Sequence, residues 1–378
     1  MFKLTEIQKE IQEMAREYAK KEIEPIADKI DKEEIYPEDL IAQLGDLGLL
    51  NINIPEEFGG PELDEISKIL ATIEISKKSA SVGVIFSVQM MVNDIIKRYG
   101  TQEQKEKYLP LVGEGKIGAF ALTEADAGSD ASKIRTKAEK VDGGYKITGT
   151  KTFISNMGPN AGDYIIILAL TDPSLGTKGI TAFLIDRDTE GLSLGKQEEK
   201  MGQKGAPVSE VILEDVFVSD DQMLGNIGEG FKIAMAGLDG GRISIGSVAL
   251  GQGLEALDLA VKYGKEREQF GKPIIANQGL QWYLAEMATR LEAAKLLILN
   301  AAAMRDEGLN VTKEAAMAKY YASEVACYVA DLSLQIHGGY GYMTEYAIER
   351  IYRDVRLTRI YEGTSEIQKL VIGRQVTR

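Results

Sequence analysis

The sequence predicts a mostly α-helical protein with a β-domain in the middle of the chain. Apolar residues recur at intervals of three and four from Leu4 to about Gly115, and the interval changes to two from about Ile117. Helical spacing returns after "GNIGEGF" and holds to the C-terminus. The order is therefore helices, strands, helices, and the absence of an alternating βαβ pattern argues against a parallel doubly wound sheet.

We expect three consecutive domains from this order. Residues 1–116 should form a helical domain, which "PEEFGGPELD" breaks into two parts. Residues 117–227 contain short β-rich runs such as "DYIIILALTD", separated by turn residues, as in an antiparallel β-barrel or sandwich. Residues 228–378 contain long helical segments such as "GLQWYLAEMATRLEAAKLLILNAAAMRDEG" and should form a second helical domain.

The bulk composition argues against several classes of protein. Lys and Arg total 44 against 58 for Asp and Glu, and the net charge of −14 disfavours nucleic acid and anionic membranes as partners. The N-terminal segment is amphipathic and rich in Glu, unlike a signal peptide, and no run approaches the ~18 uninterrupted apolar residues that span a bilayer. Cys327 is the single cysteine, which fits a reducing compartment, and we expect a cytoplasmic protein. His337 is the single histidine, so we expect no histidine-based metal site.

The stretch "RIYEGTSEIQ" holds a carboxylate, Glu362, between two segments that both predict helix. Ser365 and Gln368 have the spacing of a capping box, so we expect the second helix to begin there. Glu362 should then lie on a short loop, where Gly363 lets the backbone turn tightly. Taken alone, such a residue is more often a solvated loop carboxylate than a catalytic one.

Six stretches of the chain together resemble one family. "ALTEADAGSD", "KTFISN", "LDGGR", "REQFGKPI", "QIHGGYGY" and "IYEGTSEIQ" occur in the order and spacing found in the acyl-CoA dehydrogenases, and the shorter-chain butyryl-CoA dehydrogenase type is nearest. The resemblance covers essentially the whole chain. It implies an N-terminal helical domain, a central β-domain and a C-terminal four-helix bundle, with FAD between the last two domains.

The resemblance also implies a set of flavin contacts. Residues of "FALTE" and "FIS" would lie along the isoalloxazine ring, with the Ser155 hydroxyl near N5. The residues implied at the FAD of one subunit are Phe120, Leu122, Thr123, Ser129, Phe153, Ile154, Ser155, Thr364 and Glu366. Those implied at the FAD of a neighbouring subunit are Arg267, Gln269, Phe270, Gln278, Gln335, Gly338 and Gly339. The cofactor site would then be complete only in a dimer, and the family usually forms dimers of dimers.

For the reaction, the resemblance implies α,β-dehydrogenation of an acyl-CoA thioester to the trans-2-enoyl-CoA. Glu362 would remove the α-proton, the flavin would take the β-hydride, and an electron-transferring flavoprotein would reoxidise it. The residues implied in substrate binding are Ser129, Asp239, Arg242, Tyr361 and Gly363. Some relatives carry the base immediately before the arginine of "LDGGR", but that residue is Gly241 here, so Glu362 is the candidate.

Three other functions are considered beside this one. An acyl-CoA oxidase is usually much longer, and a nitroalkane oxidase would want Asp in place of Glu362. The net charge of −14 argues against a family member repurposed to bind DNA.

The bulky run "VQMMVND" falls where relatives line the acyl pocket and indicates a short or compact substrate. Two details depart from the family pattern: Ala125 replaces a proline common in relatives, and "GAPVSEV" lacks the usual Ser/Thr pair, which concerns local flavin or pyrophosphate contacts.

Overall fold

The computed structural model describes residues 3–377, and it confirms the predicted order of helices, strands and helices. The outermost positions of the first and third expected domains, residues 1–2 and 378, lie outside the described part. The domain boundaries that we propose, after residues 116 and 227, both fall in connecting segments between regular elements.

The N-terminal helical part begins at a strong cap. The Thr5 side chain accepts from the backbone N–H of Gln8, and the Gln8 side chain accepts from the Thr5 N–H, which is a complete capping box. The side chains of Asp64, Ser79 and Thr101 accept from backbone N–H groups at the starts of three later helices, and Thr101 also forms a capping box. The helices are α1 Glu6–Tyr18, α2 Ala27–Glu33, α3 Glu38–Asp46, α4 Glu65–Lys78, α5 Ala80–Tyr99 and α6 Gln102–Gly113.

Helix α5 is the buried centre of this part. Within residues 3–377 it is the one helix that is long and apolar enough to cross a membrane by length and composition, yet 89% of the relevant window is buried in the protein. Its apolar character therefore serves the hydrophobic core, as in the central helix of many folded domains.

The central part is a mixed sheet. Eight of the strands described for residues 3–377 belong to it, in the order β6-β7-β3-β2-β4-β5-β8, with β1 paired to β4. The predicted antiparallel pattern holds for most pairs, but β1 and β2 both run parallel to β4. The strands are β1 Gly118–Ala121, β2 Lys137–Val141, β3 Gly144–Ser155, β4 Tyr164–Leu170, β5 Ile180–Asp186, β6 Leu192–Gln197, β7 Val208–Ser219 and β8 Met223–Leu224.

The C-terminal part is built on three long helices. Two shorter helices follow them, and a small hairpin lies between the first and second long helices. The elements are α7 Gly230–Glu266, β9 Glu268–Gln269, β10 Lys272–Pro273, α8 Gln278–Asp306, α9 Thr312–His337, α10 Ala347–Leu357 and α11 Ser365–Val376.

Glycines on α7 bring the first helical part against the third. A Cβ atom at Gly237 would lie 2.6 Å from Ile95 Cδ1, and one at Gly251 would lie 2.5 Å from the Ile73 carbonyl oxygen. Both distances are too short for a real side chain, so α5 and α4 approach α7 closely because these positions lack one. This close packing places α5 beside the residues described next.

Candidate active site

Glu362 lies on the turn that joins α10 to α11. Its φ is 53°, a left-handed conformation that costs a residue other than glycine about 1–3 kcal/mol. Its Oε2 atom is buried and has no hydrogen-bond partner among the residues that the structure describes. A Cβ atom at Gly241 would lie 2.7 Å from Oε2 and 3.2 Å from Met91 Sδ. The carboxylate therefore rests against the bare backbone of α7, beside a thioether of α5.

The surroundings of Glu362 make its carboxyl group unusually basic. Burial raises the pKa of Glu362 to about 7, since the charged form loses its hydration, while the positive charges of Arg242 and Lys319 oppose the rise. A group with a pKa near neutrality suits a general base better than an ordinary glutamate does. Such shifts are concentrated at functional sites.

The predicted CoA contacts, Asp239 and Arg242, flank Gly241 on α7. Arg242 is 6% exposed and donates from Nη1 to Asp239 Oδ1 at 2.6 Å, while Asp239 Oδ2 accepts from the Thr312 hydroxyl at 2.7 Å. Arg242 Nε is buried and has no partner within residues 3–377. The structure thus brings both residues to the neighbourhood of Glu362, whereas Ser129 lies in an exposed segment between β1 and β2.

Tyr361 connects the turn to the central part of the protein. Gln203 Nε2 donates to the Tyr361 hydroxyl oxygen at 3.3 Å and to the Asp354 carbonyl at 3.1 Å. The Gln203 backbone N–H donates to Asp354 Oδ1 at 2.5 Å. Sequence reasoning missed Gln203 and Asp354, because a glutamine in a loop and an aspartate in an arginine-rich helix carry no signal of burial.

Asp354 provides a test of this buried network. Burial raises its pKa to about 7, so in the folded protein it keeps a proton that an ordinary aspartate loses near pH 4. Stability that depends on the protonated form is present below about pH 4 and is lost as the pH rises toward 7. Asp354→Asn retains the acceptor and does not ionise. We expect the thermal midpoint of Asp354→Asn minus that of wild type to be larger at about pH 8 than at about pH 5, by about 2 °C or more.

The matched variant is Asp354→Leu, which leaves the Gln203 N–H without an acceptor and should be destabilised at both pH values. Equal midpoint differences between Asp354→Asn and wild type at the two pH values would contradict a buried, protonated Asp354.

Two segments predicted to contact the flavin ring meet at the ends of β1 and β3. The Thr152 N–H donates to the Thr123 carbonyl at 2.9 Å, which joins "FALTE" to "KTFIS". Phe153 has φ 57° and its side chain is 64% exposed, so it points out of the sheet domain. Thr152 Oγ1 is buried and has no partner in the described chain. An exposed aromatic face beside an unsatisfied hydroxyl fits a planar ring with polar edges.

The other residues of this region have different environments. Phe120, Thr123 and Ser155 are partly buried, and Leu122 and Ile154 are 6% and 2% exposed. Glu124, in the same segment, accepts from buried Lys151 Nζ at 2.8 Å, and Lys151 also donates to the Leu122 carbonyl at 3.2 Å. The Glu124–Lys151 pair, which the sequence did not reveal, therefore holds the backbone of "FALTE" through the Leu122 carbonyl.

One pocket brings together four of the residues predicted to reach a neighbouring subunit's FAD. It has a volume of about 530 Å³, and its lining includes Arg267, Gln269, Gly338 and Gly339. The Arg267 guanidinium lies 5.5 Å from the centre of the Tyr340 ring, in the range of a cation–π contact. His337 is buried and stacks on Tyr263 with ring centres 4.4 Å apart, which agrees with a structural role.

Four predicted FAD residues lie on the surface outside that pocket lining. Phe270 is 98% exposed with φ 53°, and Gln278, Gln335 and Glu366 are also exposed. Thr364 is instead the N-cap of α11, and its Oγ1 accepts from the Ile367 N–H at 3.3 Å. The predicted Ser365 capping box is therefore wrong by one residue.

Comparisons with known proteins cover the whole chain. The matching family descriptions are "Acyl-CoA dehydrogenase, N-terminal domain" over residues 5–116, "middle domain" over 119–216 and "C-terminal domain" over 228–377. The chain is 48% identical to "Acryloyl-CoA reductase (NADH)" of Anaerotignum propionicum, over 100% of this chain and 96% of that protein. It is 44% identical to "Caffeyl-CoA reductase-Etf complex subunit CarC" of Acetobacterium woodii, over 98% of each chain.

Among solved structures, the chain matches butyryl-CoA dehydrogenase from Megasphaera elsdenii with a TM-score of 0.97. The two sequences are 42% identical, and the match covers 100% of both chains.

Proposed function

We propose, because this chain belongs to the acyl-CoA dehydrogenase family, that it interconverts a short-chain acyl-CoA thioester and its trans-2-enoyl-CoA, with Glu362 as the base. The enzyme is an FAD-dependent oxidoreductase that acts on CH–CH bonds. The observation that carries the proposal is the Glu362 carboxylate, which has an unpaired buried oxygen and a pKa raised to about 7 by burial.

Glu362 would perform the proton transfer. An α-proton next to a thioester is too weakly acidic for a carboxylate in water, so the site must strengthen the base and stabilise the developing enolate. Burial strengthens the base, because it raises the pKa of Glu362. The enolate needs a hydrogen-bond donor, and the Glu362 backbone N–H is a candidate donor to the thioester oxygen, since it donates to no backbone carbonyl among residues 3–377.

The hydrogen at Cβ leaves as a hydride, which FAD accepts when bound. Thr123, Thr152 and Phe153 would hold the ring from the sheet domain, and Arg267 with Gly338 and Gly339 would hold the cofactor of a neighbouring subunit. Met91 packs against α7 beside Glu362 and limits the space at the acyl group, which supports a short or compact substrate.

We propose an electron-transferring flavoprotein as the redox partner, since the matched CarC protein is named as part of an Etf complex. We also propose a homo-oligomer, a dimer of dimers, located in the cytoplasm.

The reductive direction is the second candidate. The relative at 48% identity is named an acryloyl-CoA reductase, and the same Glu362 that removes an α-proton would return one to Cα when the reaction runs backwards. The residues are the same in both directions, so the direction is set by the electron partner and the substrate supply.

The experiment is an anaerobic titration of the purified yellow protein with acyl-CoAs of increasing chain length. Butyryl-CoA and its neighbours should bleach the flavin and yield the trans-2-enoyl-CoA, whereas long-chain acyl-CoAs should not. Reoxidation of the bleached protein by crotonyl-CoA or acryloyl-CoA tests the reverse direction. A flavin that no acyl-CoA bleaches and no enoyl-CoA reoxidises would refute the proposed function.

Arg267→Ala tests the shared cofactor site. If one subunit's Arg267 binds the FAD of another, its loss should lower the FAD content and weaken the dimer together. Both are measured after dilution, as the flavin-to-protein ratio and the molar mass. Arg290→Ala is a matched control, because Arg290 is another arginine over an aromatic ring, 4.2 Å from the centre of Tyr328. An Arg267→Ala monomer with full flavin occupancy would contradict the proposal.

A further inference from the structure

The turn that presents Glu362 has two consecutive residues in left-handed conformations. Glu362 has φ 53° and Gly363 has φ 89°. The second suits glycine, but the first is uncommon for glutamate and persists only where the surroundings impose it. The side chains that impose it must therefore be found around the turn.

Two fully buried side chains, from two different helices, hold this turn. Gln368, on α11, donates from Nε2 to the carbonyl oxygens of Glu362 and Gly363, both at 2.9 Å. Lys319, on α9, donates from Nζ to the Gly363 carbonyl at 2.7 Å. With the carbonyls of both residues fixed, the backbone cannot rotate without breaking buried hydrogen bonds.

Lys319 differs from the other fully buried lysines. Lys68 forms salt bridges with Glu65 at 2.7 Å and Asp94 at 3.1 Å, and Lys151 forms one with Glu124 at 2.8 Å. In the described part of the chain, no salt bridge involves Lys319, and its hydrogen-bond partner is a neutral carbonyl. A buried ammonium without a salt bridge is costly, and this one is retained near the candidate base.

We propose that Lys319 is a positioning residue for Glu362: it fixes the Gly363 carbonyl so that the turn presents the carboxylate, and its charge helps to keep that carboxylate ionised. The inference rests on the proposed function, in which Glu362 is the base. Lys319 acts on Glu362 through its hydrogen bond to the turn and through its positive charge, and not by contact with substrate or cofactor.

The charges around the two groups support this role. The positive charges acting on Glu362 are Arg242 on α7 and Lys319 on α9, and both lower its pKa against the effect of burial. The charges that act on Lys319 are Glu362, Glu324 and Glu366, which favour its ammonium form, and Arg242, which disfavours it. Burial lowers the pKa of Lys319 to about 8, so Lys319 is still charged in the range where Glu362 loses its proton.

Removal of the lysine charge has a predictable direction. Without it, the pKa of Glu362 rises, a smaller fraction of Glu362 is ionised at neutral pH, and proton removal slows. The rate of flavin reduction rises with pH as Glu362 ionises. The pH at which this rate is half-maximal should therefore move upward in a variant that lacks the charge.

The test compares four variants by anaerobic flavin reduction with subsaturating butyryl-CoA over a range of pH, a condition that reports the free enzyme. Lys319→Met removes the donor and the charge, and Lys319→Gln removes the charge but keeps a donor. Gln368→Leu removes two donors but no charge. Lys68→Met is the control for loss of a buried lysine elsewhere. FAD content and thermal midpoint are measured for each.

Both Lys319 variants should raise the half-maximal pH by about one unit and slow reduction at neutral pH by about fivefold or more. Gln368→Leu should slow flavin reduction without changing the half-maximal pH. Lys68→Met should lower the thermal midpoint, also without changing the half-maximal pH.

An unmoved half-maximal pH in a flavin-loaded Lys319 variant overturns this inference while the proposed function stands. If Lys319→Met does not fold, Lys319→Gln decides in the same way. Failure of both to fold overturns it too, since Lys319 is then a structural residue only. A wild-type flavin that acyl-CoA does not reduce overturns the proposed function and this inference with it.

Discussion

Glu362→Gln lowers the rate of flavin reduction by acyl-CoA by about 10⁴-fold or more, while the protein keeps FAD and still binds acyl-CoA. Glutamine has nearly the same shape but cannot accept the α-proton, so the variant loses the chemical step and retains the fold. The measurement is single-turnover flavin reduction under anaerobic conditions, with binding followed separately by titration.

Glu324→Gln is the control for loss of a carboxylate near the same turn. Glu324 Oε1 accepts from the Ser365 hydroxyl at 2.6 Å and from Arg359 Nε at 2.8 Å, so both of its contacts are structural. It should reduce flavin within about tenfold of wild type. A Glu362→Gln protein with a near-normal reduction rate would remove Glu362 from the mechanism.

Moving the base from the turn to α7 should restore part of the activity that Glu362→Gly loses. A Cβ atom at Gly241 would lie 2.7 Å from Glu362 Oε2, so a carboxylate introduced there can reach the same region once Glu362 is gone. We expect the double variant Glu362→Gly with Gly241→Glu to exceed Glu362→Gly in flavin reduction and to stay ~100-fold below wild type, since a small misplacement of a base is costly.

Two further variants separate the causes. Gly241→Glu alone should be poorly active, because the new side chain meets Glu362 and Met91 Sδ and a second carboxylate raises the pKa of both groups. Gly241→Gln in the Glu362→Gly background adds the same bulk without a base and should restore nothing. A folded, flavin-loaded double variant that is no faster than Glu362→Gly would refute the convergence of the two positions.

The order of helices and strands was predictable because hydrophobic spacing reports which face of an element is buried. The pairing of the strands was not. β1 and β2 both run parallel to β4, and such pairs depend on how distant segments cross in space. Local alternation along each strand is the same for parallel and antiparallel neighbours, so it could not distinguish them.

The turn around Glu362 shows a similar limit at the level of single side chains. Ser365 and Gln368 have capping-box spacing, yet Thr364 caps α11 and Gln368 donates to the Glu362 and Gly363 carbonyls. Several residues near the start of a helix can cap it, and the tertiary contacts of the turn determine which one does. Lys319 was missed because "AAMAKYYASE" indicates only a helix, and nothing local distinguishes a buried lysine from a solvated one.

Removal of the α-proton by Glu362 can be measured apart from hydride transfer, as α-proton exchange. A short acyl-CoA with sulfur in place of Cβ cannot lose a β-hydride, so its exchange in deuterated water reports proton removal alone. Mass spectrometry of the recovered thioester should show rapid deuterium uptake with wild-type enzyme and none above the enzyme-free rate with Glu362→Gln. Equal uptake with the two proteins would contradict the assignment of Glu362 as the base.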